Sequence, residues 1–141
     1  MREIRRFAEE WAFLSNFAEA EVELEGVQFP TVEAAFQAAK TTVEAEREAI
    51  RQAATPGRAK RLGRKATLRA GWEAMRVEVM RGLLVQKFQI PALRAALLAT
   101  GQAELVEGNT WGDVFWGVCE GEGQNVLGRL LTEVRAGLGE G

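Results

Sequence analysis

One stretch of the sequence decides how the chain folds: Thr31-Val32-Glu33-Ala34-Ala35-Phe36-Gln37-Ala38-Ala39-Lys40. Thr31 follows Pro30 and is a favoured N-cap residue, so we predict a helix from residue 32 to about residue 41. On that helix Glu33, Gln37 and Lys40 stand at positions i, i+4 and i+7 and project from one face. The face is either a functional site or an exposed polar stripe with a weak Glu33–Gln37 contact.

Apolar residues alternate around Glu25-Gly26 just before this helix, which predicts a short β-hairpin from Val22, Leu24, Val27 and Phe29. Further helices are expected at 44–53 and from Thr55, the N-cap, with Pro56 at the first helical position. A helix at 71–86 places Trp72, Met75, Val79 and Leu83 on one stripe. Another helix begins at Pro91, directs Leu93, Leu97 and Leu98 inward, and stops at Gly101. A strand at 103–107 precedes a last helix from about Asn125 that buries Val126, Leu127, Leu130, Leu131, Val134 and Leu138. The prediction is a helix-rich α+β fold, a single domain over residues 1–141 with a small β element.

The composition excludes several kinds of chemistry. The chain has no His and no Tyr, and Cys119 is its one cysteine, so a Ser–His triad, a His metal site and an internal disulfide are excluded. We therefore expect no metal and no cofactor, and an acid, base or nucleophile drawn from carboxylates and lysines. Cys119 is interpreted as a small buried hydrophobe. No apolar run approaches a membrane span, and the charged N-terminus lacks a signal core, so we expect a cytoplasmic protein without a membrane partner.

The charges are concentrated in one third of the chain. Residues 51–94 hold 11 basic and 2 acidic side chains, whereas residues 1–50 hold 5 and 11 and residues 95–141 hold 2 and 7. The block includes Thr55-Pro56-Gly57-Arg58-Ala59-Lys60-Arg61-Leu62-Gly63-Arg64-Lys65, a helix start followed by five basic residues. This pattern favours binding of an anion such as a phosphate, nucleotide or nucleic acid, and the alternative is a solvated basic helix.

Two aromatic segments complete the set of candidates. Gly108-Asn109-Thr110-Trp111-Gly112-Asp113-Val114-Phe115-Trp116-Gly117 can stack on a base and fix ribose hydroxyls, or it can be a loop that closes the core. Trp11-Ala12-Phe13-Leu14-Ser15-Asn16-Phe17 can wall a pocket, or it can be an N-terminal segment pinned to the core. Asn125 can bind a ligand or cap the last helix.

Together these segments resemble the YbiA-like, or NADAR, domain family over residues 11 to 138. The resemblance is carried by Phe13-Leu14-Ser15-Asn16-Phe17, Phe29-Pro30-Thr31-Val32-Glu33, Phe36-Gln37-Ala38-Ala39-Lys40, residues 55–63, Trp72, Val79-Met80, Lys87-Phe88, residues 97–101 and 104–107, Trp111-Gly112-Asp113, Phe115-Trp116-Gly117 and Asn125-Val126-Leu127-Gly128. Many members have His after the motif Glu, where this chain has Ala34. Catalysis here therefore cannot depend on that His.

The resemblance implies N-glycosidase activity. Family members cleave the bond between ribose C1 and an exocyclic amino nitrogen, either in ribosylamino-pyrimidine phosphates of riboflavin synthesis or in ADP-ribosylated guanine of DNA. It implies a phosphorylated ribosyl or ADP-ribosyl substrate, with ADP-ribosylated DNA as one such partner. The implied catalytic residues are Glu33, Lys60, Lys40 and Asp113, and the implied substrate-binding residues are Asn16, Phe17, Gln37, Arg58, Arg61, Trp72, Trp111, Trp116 and Asn125.

Two mechanisms and two other classes of function stay open at this point. A carboxylate, Glu33 or Asp113, can activate water while an acid protonates the leaving nitrogen. Alternatively Lys60 or Lys40 attacks C1 of the ring-opened sugar and forms a Schiff base, the route we favour slightly. The chain can also be a module that binds ADP-ribose or nucleic acid without catalysis, or a partner protein that neutralises a toxin. The oligomeric state is not readable from the sequence.

Overall fold

A computed structural model describes residues 2–140. Its helix-rich α+β fold confirms the predicted class, with the strands β1 (Glu3–Ile4), β2 (Glu19–Leu24), β3 (Val27–Thr31), β4 (Glu104–Leu105), β5 (Gly108–Asn109) and β6 (Val118–Cys119). The helices are α1 (Val32–Ala39), α2 (Glu44–Arg51), α3 (Pro56–Arg64), α4 (Trp72–Lys87), α5 (Pro91–Ala99) and α6 (Val126–Glu140), with a 3₁₀ helix at Glu9–Leu14. No helix within residues 2–140 has the length and apolar content needed to span a bilayer.

The described chain divides into two compact units. The central unit is Asn16–Lys87, and the flanking unit comprises residues 2–15 and 88–140. The prediction of a single domain over residues 1–141 stays a prediction.

The central unit begins with the predicted hairpin. Val22 pairs with Phe29 and Leu24 with Val27, and both Val22 and Phe29 are buried. Glu25 (φ 49°) and Gly26 (φ 85°) form the turn, and two successive positive φ values suit the right-handed twist of the strands. The side chain of Gln86 on α4 lies along β2: its Oε1 accepts a hydrogen bond from Glu23 N at 2.7 Å, and its Nε2 donates one to Glu23 O at 2.8 Å.

Helix α1 is the core of the central unit. It packs against α2, α3, α4 and both strands of the hairpin, and all eight of its residues are buried. Thr31 caps it as predicted, since its Oγ1 accepts a hydrogen bond from Ala34 N at 3.0 Å. Thr55 caps α3 in the same way through Arg58 N at 3.1 Å, with Pro56 at the first helical position. Both local start signals were therefore predicted from the sequence.

Two predicted burial patterns need correction. On α4, Trp72 and Leu83 are buried as expected, but Met75 and Val79 are only half-buried, and the stripe continues instead through Met80, Leu84 and Lys87. The stripe is rotated because α4 packs against both α1 and β2. On α5, Leu97 is buried but Leu98 is 39% exposed, since neighbouring helix positions point about 100° apart and the buried face centres on Leu97.

The flanking unit is built around α6. This helix buries Leu127, Leu130, Leu131, Val134 and Leu138 as predicted, whereas Val126, at its first turn, is half-buried. The predicted strand at 103–107 is reduced to β4, which pairs in parallel with β1. The aromatic segment 108–117 begins with β5 and is followed by β6, and these two short strands also pair in parallel.

Candidate active site

Glu33 and Gln37 form a buried polar pair inside the central unit. Glu33 is 8% exposed and Gln37 is 4% exposed, so the alternative of an exposed polar stripe is wrong. Gln37 Nε2 donates a 2.6 Å hydrogen bond to Glu33 Oε2. Glu33 lies in the first turn of α1, where the helix dipole stabilises a carboxylate. The structure thus holds a carboxylate in a fixed orientation within the protein interior.

Asn16 lies beside this pair. Its main-chain oxygen accepts a 3.1 Å hydrogen bond from Glu33 N, and its Nδ2 donates a 3.6 Å bond to Met80 Sδ. The Oδ1 atom of Asn16 is buried and has no hydrogen-bond partner among the described residues. A buried acceptor without a donor is costly, so this atom is available to a donor group on a ligand.

Lys40 follows α1 and extends the polar face predicted from the sequence. Burial lowers the pKa of Lys40, the carboxylate of Glu33 acts in the opposite direction, and Arg64 and Lys60 lower the pKa further. The carboxylate of Glu33 and the cations of Lys40, Lys60 and Arg64 are therefore close enough to interact. Arg64 was not among the predicted site residues, although its spacing of four from Lys60 puts it on the same side of α3.

Helix α3 approaches α1 closely at Gly63. A Cβ atom built on Gly63 would lie 2.6 Å from Gln37 Cδ and would overlap Gln37 Oε1 as well. Gln37 Oε1 lies next to Gly63. This oxygen is buried and has no hydrogen-bond partner among the described residues. Gly63 therefore sets how closely the basic helix approaches the Glu33–Gln37 pair.

The other predicted residues of the central unit lie in different environments. Arg58 and Arg61 are exposed on α3. Trp72 is 4% exposed and packs on Phe36 with ring centroids 5.2 Å apart, which makes it a core residue. Phe17 is 43% exposed and available for contact with a ligand.

Asp113 organises the aromatic loop of the flanking unit. Its Oδ1 accepts hydrogen bonds from Phe115 N at 3.1 Å and Trp116 N at 2.9 Å. The rings of Phe115 and Trp116 then meet edge to face, with centroids 4.9 Å apart. This geometry gives Asp113 a role in loop structure, and its catalytic role stays a prediction.

Asn109 holds the same loop, a role that the sequence analysis missed. Its Oδ1 accepts hydrogen bonds from Trp111 N and Asp113 N, and its Nδ2 donates to Asp113 O and Glu107 Oε2. The loop is therefore pinned by one amide side chain while Trp111 is left 62% exposed. A side-chain amide that bonds to nearby backbone groups is typical of Asn in turns.

Asn125 fixes the entry to α6 from a left-handed backbone conformation, φ 52°. Its Oδ1 accepts a 3.0 Å hydrogen bond from Glu107 N, and its Nδ2 donates a 2.9 Å bond to Leu105 O. Both polar atoms of the side chain thus bind the β4 segment. The side chain therefore bonds to this segment and not to the first turn of α6, and a role of Asn125 in substrate binding stays a prediction.

Lys87, like Arg64 and Asn109, was not among the site residues predicted from the sequence. It ends α4 and is fully buried, at 0% exposed. Burial lowers the pKa of Lys87 to about 7. A lysine at a helix C-terminus gains about 0.3–1 kcal/mol from the helix dipole, which is too little to offset full burial. The amine is consequently neutral for a large fraction of the time near physiological pH.

Comparison with known proteins identifies relatives along almost the whole chain. The family model of the NADAR domain matches residues 4–139. The N-glycosidase YbiA of Escherichia coli is 43% identical over 132 residues, covering 91% of this chain and 82% of that protein. A riboflavin biosynthesis protein of Vibrio vulnificus is 38% identical over 136 residues, covering 94% of this chain but 37% of that protein.

The fold agrees with these sequence matches. The NMR structure of Escherichia coli YbiA superposes with a TM-score of 0.85 at 39% sequence identity, covering 99% of this chain and 88% of that chain. The resemblance read from the sequence is thereby confirmed. The chain belongs to the NADAR domain family and, like its relatives named N-glycosidases, is a hydrolase that acts on N-glycosyl bonds.

Proposed function

We propose that the enzyme hydrolyses the bond between C1 of a phosphorylated ribose, free or as part of ADP-ribose, and an exocyclic amino nitrogen. One observation carries this proposal: the buried carboxylate of Glu33 is held by Gln37 and is coupled to the partly desolvated amine of Lys40. A carboxylate and an amine in one site supply the acid–base and nucleophilic groups that the reaction needs.

The cations around this pair fit the phosphate of such a substrate. Lys60 and Arg64 both act electrostatically on Lys40, so they lie close to the reacting groups. Arginine binds phosphate oxygens with two parallel hydrogen bonds, and lysine contributes a mobile charge. Similarity to the riboflavin biosynthesis protein of Vibrio vulnificus is in keeping with the ribosylamino-pyrimidine phosphate that the family resemblance implies as a substrate.

Lys40 is our preferred nucleophile. Its lowered pKa increases the fraction of neutral amine, which is the form that attacks a carbonyl or an imine. A glycosylamine opens to an imine at C1, Lys40 Nζ adds there, and the exocyclic nitrogen leaves as an amine after taking up the two protons that Nζ gives up. Water then hydrolyses the lysine imine, which regenerates the amine and releases the sugar phosphate as its aldehyde.

Glu33 serves this route as the proton carrier. In the carboxylate route it would instead activate water directly against an oxocarbenium-like C1. Borohydride separates the two routes, because it reduces a lysine imine to a stable amine and has no effect on an oxocarbenium route. We expect a covalent adduct on Lys40, and an active enzyme that yields no adduct would refute the lysine route.

The substrate is tested by offering two compounds side by side. ADP-ribosylated guanine in DNA and the ribosylamino-pyrimidine phosphate are incubated with the enzyme, and chromatography shows which one releases ADP-ribose or ribose phosphate. Glu33→Gln and Lys40→Met should lose turnover while folding is retained, and Lys65→Met, an exposed lysine that follows α3, is the matched control. Release from neither compound would refute the proposal.

Binding of nucleic acid by the hydrolase is a second candidate property, and the exposed arginines of α3 favour it. Arg58 and Arg61 face solvent in a segment that has no acidic residue from 52 to 70. Such a surface would bind nucleic acid with an affinity that falls steeply with salt. Salt-dependent binding of unmodified DNA that weakens in Arg58→Met and Arg61→Met would support this property, and DNA binding unaffected by both substitutions would contradict it.

A further inference from the structure

A pocket of about 480 Å³ lies beside the aromatic loop, entirely within the flanking unit. Its lining includes Arg5, Arg6, Trp111 and Glu120, together with Gly108 and Gly121, and we call it the Trp111 pocket. The volume lies in the range of pockets that hold small ligands.

Trp111 gives the pocket an aromatic surface. At 62% exposed, it is the most exposed large apolar side chain among the described residues. Its backbone is nevertheless fixed, because Trp111 N donates a 3.3 Å hydrogen bond to Asn109 Oδ1. A rigid loop that leaves an indole open to solvent forgoes hydrophobic burial, and indole rings stack readily on nucleobases.

Two arginines give the pocket a site for an anion. Arg5 forms an ion pair with Glu3, whereas Arg6 is exposed and has no ion-pair partner among residues 2–140. Glu120 lines the same pocket but forms no ion pair with Arg6 among the described residues. It lowers the net positive charge of the pocket and leaves the Arg6 guanidinium without a carboxylate in contact. Arg6 is therefore the side chain best suited to hold a phosphate.

We propose that the Trp111 pocket binds a nucleoside monophosphate unit, with the base stacked on Trp111 and the phosphate bound by Arg6. The inference rests on the proposed function for the expectation of a phosphorylated nucleoside ligand, and it concerns a pocket that lies within the flanking unit alone. The unit can come from a free nucleotide or from a single strand of nucleic acid, because both present a base next to a phosphate.

Calorimetry with AMP tests the pocket directly. AMP should bind the wild-type protein at least tenfold more tightly than adenosine or ribose 5-phosphate, because each of those compounds lacks one of the two contacts. Trp111→Ala should weaken AMP binding about tenfold, in line with the usual strength of stacking between a base and an aromatic ring. Arg6→Met should weaken it about fivefold and flatten its dependence on salt.

One control lies outside the pocket, and a second variant changes the charge of its lining. Arg2→Met removes an exposed arginine that stacks on Trp11 and does not line the pocket, so AMP binding should be unchanged. Glu120→Gln removes the acid of the pocket and should tighten AMP binding. If Arg2→Met and Arg6→Met weaken AMP binding by the same factor, the effect comes from net charge, and the proposal is overturned.

A second probe identifies the source of the ligand. We compare AMP with a short single-stranded oligonucleotide. If the oligonucleotide binds at least as tightly as AMP and loses affinity in Trp111→Ala and Arg6→Met, the source is a nucleic-acid strand. If only AMP binds, the source is a free nucleotide. Binding of neither probe overturns the proposal. AMP binding in a protein that shows no turnover would refute the proposed function while the pocket stands. Turnover in a protein that binds neither probe would refute the pocket while the function stands.

Discussion

The buried amine of Lys87 should make the stability of the protein depend on pH. Its pKa falls from an ordinary value of 10.5 to about 7 because the side chain is fully buried. At about 1.4 kcal/mol for each pKa unit, keeping this amine charged in the folded protein costs about 5 kcal/mol. We therefore expect Lys87→Met to remove a large, pH-dependent penalty.

The sign follows from proton binding. Between pH 7 and pH 10.5 the unfolded chain holds a proton on Lys87 that the folded chain has released, so the free energy of unfolding rises with pH in this window. The same relation gives a gain of about 3 kcal/mol for the wild type between pH 6 and pH 9. The chain contains no His, the residue whose ordinary pKa lies in this range, so few other groups compete.

Urea unfolding at pH 6 and pH 9, followed by tryptophan fluorescence and circular dichroism, measures the effect. Lys87→Met should lack the gain that the wild type shows. Lys87→Arg should also lack it, because arginine stays charged at both pH values, and it should be less stable than the wild type at pH 9. If the wild type gains no more between the two pH values than Lys87→Met does, the reasoning about Lys87 is wrong.

Three further substitutions test the geometry of the two units. Gly63→Ala should lower the free energy of unfolding by about 1–3 kcal/mol and reduce turnover, because the new methyl group pushes α3 away from Gln37. Unchanged thermal unfolding would contradict this prediction. Gln37→Glu places a second carboxylate beside Glu33, and repulsion between the two raises the pKa of one of them. The acid limb of the pH–rate profile should therefore move to higher pH. An unmoved limb would show that the protonation of Glu33 does not control the rate. Asn109→Ala removes the amide that pins the aromatic loop and should cost about 2 kcal/mol, with faster hydrogen exchange at Trp111 N; unaltered exchange would show that the loop is held by other contacts.

Local signals in the sequence predicted the elements of the fold well. The hairpin follows from a two-residue turn and the starts of α1 and α3 from Thr31 and Thr55, since each depends on contacts only a few residues apart. The polar face of α1 was predicted as well, because helical spacing alone fixes it.

Burial could not be predicted in the same way. Glu33 and Gln37 look like surface residues until α3 covers them, and that contact depends on Gly63, far along the chain. Lys87 likewise has the sequence context of an exposed helix end, yet it is fully buried. In the aromatic loop the sequence drew attention to Asp113, and the contribution of Asn109 became visible only in the structure, where its side-chain amide both donates and accepts hydrogen bonds.

The contact between Gln86 and Glu23 has a consequence for the solubility of the protein. A two-stranded hairpin presents outer edges whose free N–H and C=O groups can pair with a strand of another molecule and seed aggregation. The amide of Gln86 donates and accepts at Glu23 as a neighbouring strand would, and so occupies the position at which such a strand would dock. One helix side chain thereby protects the outer edge of β2 from association between copies at high concentration.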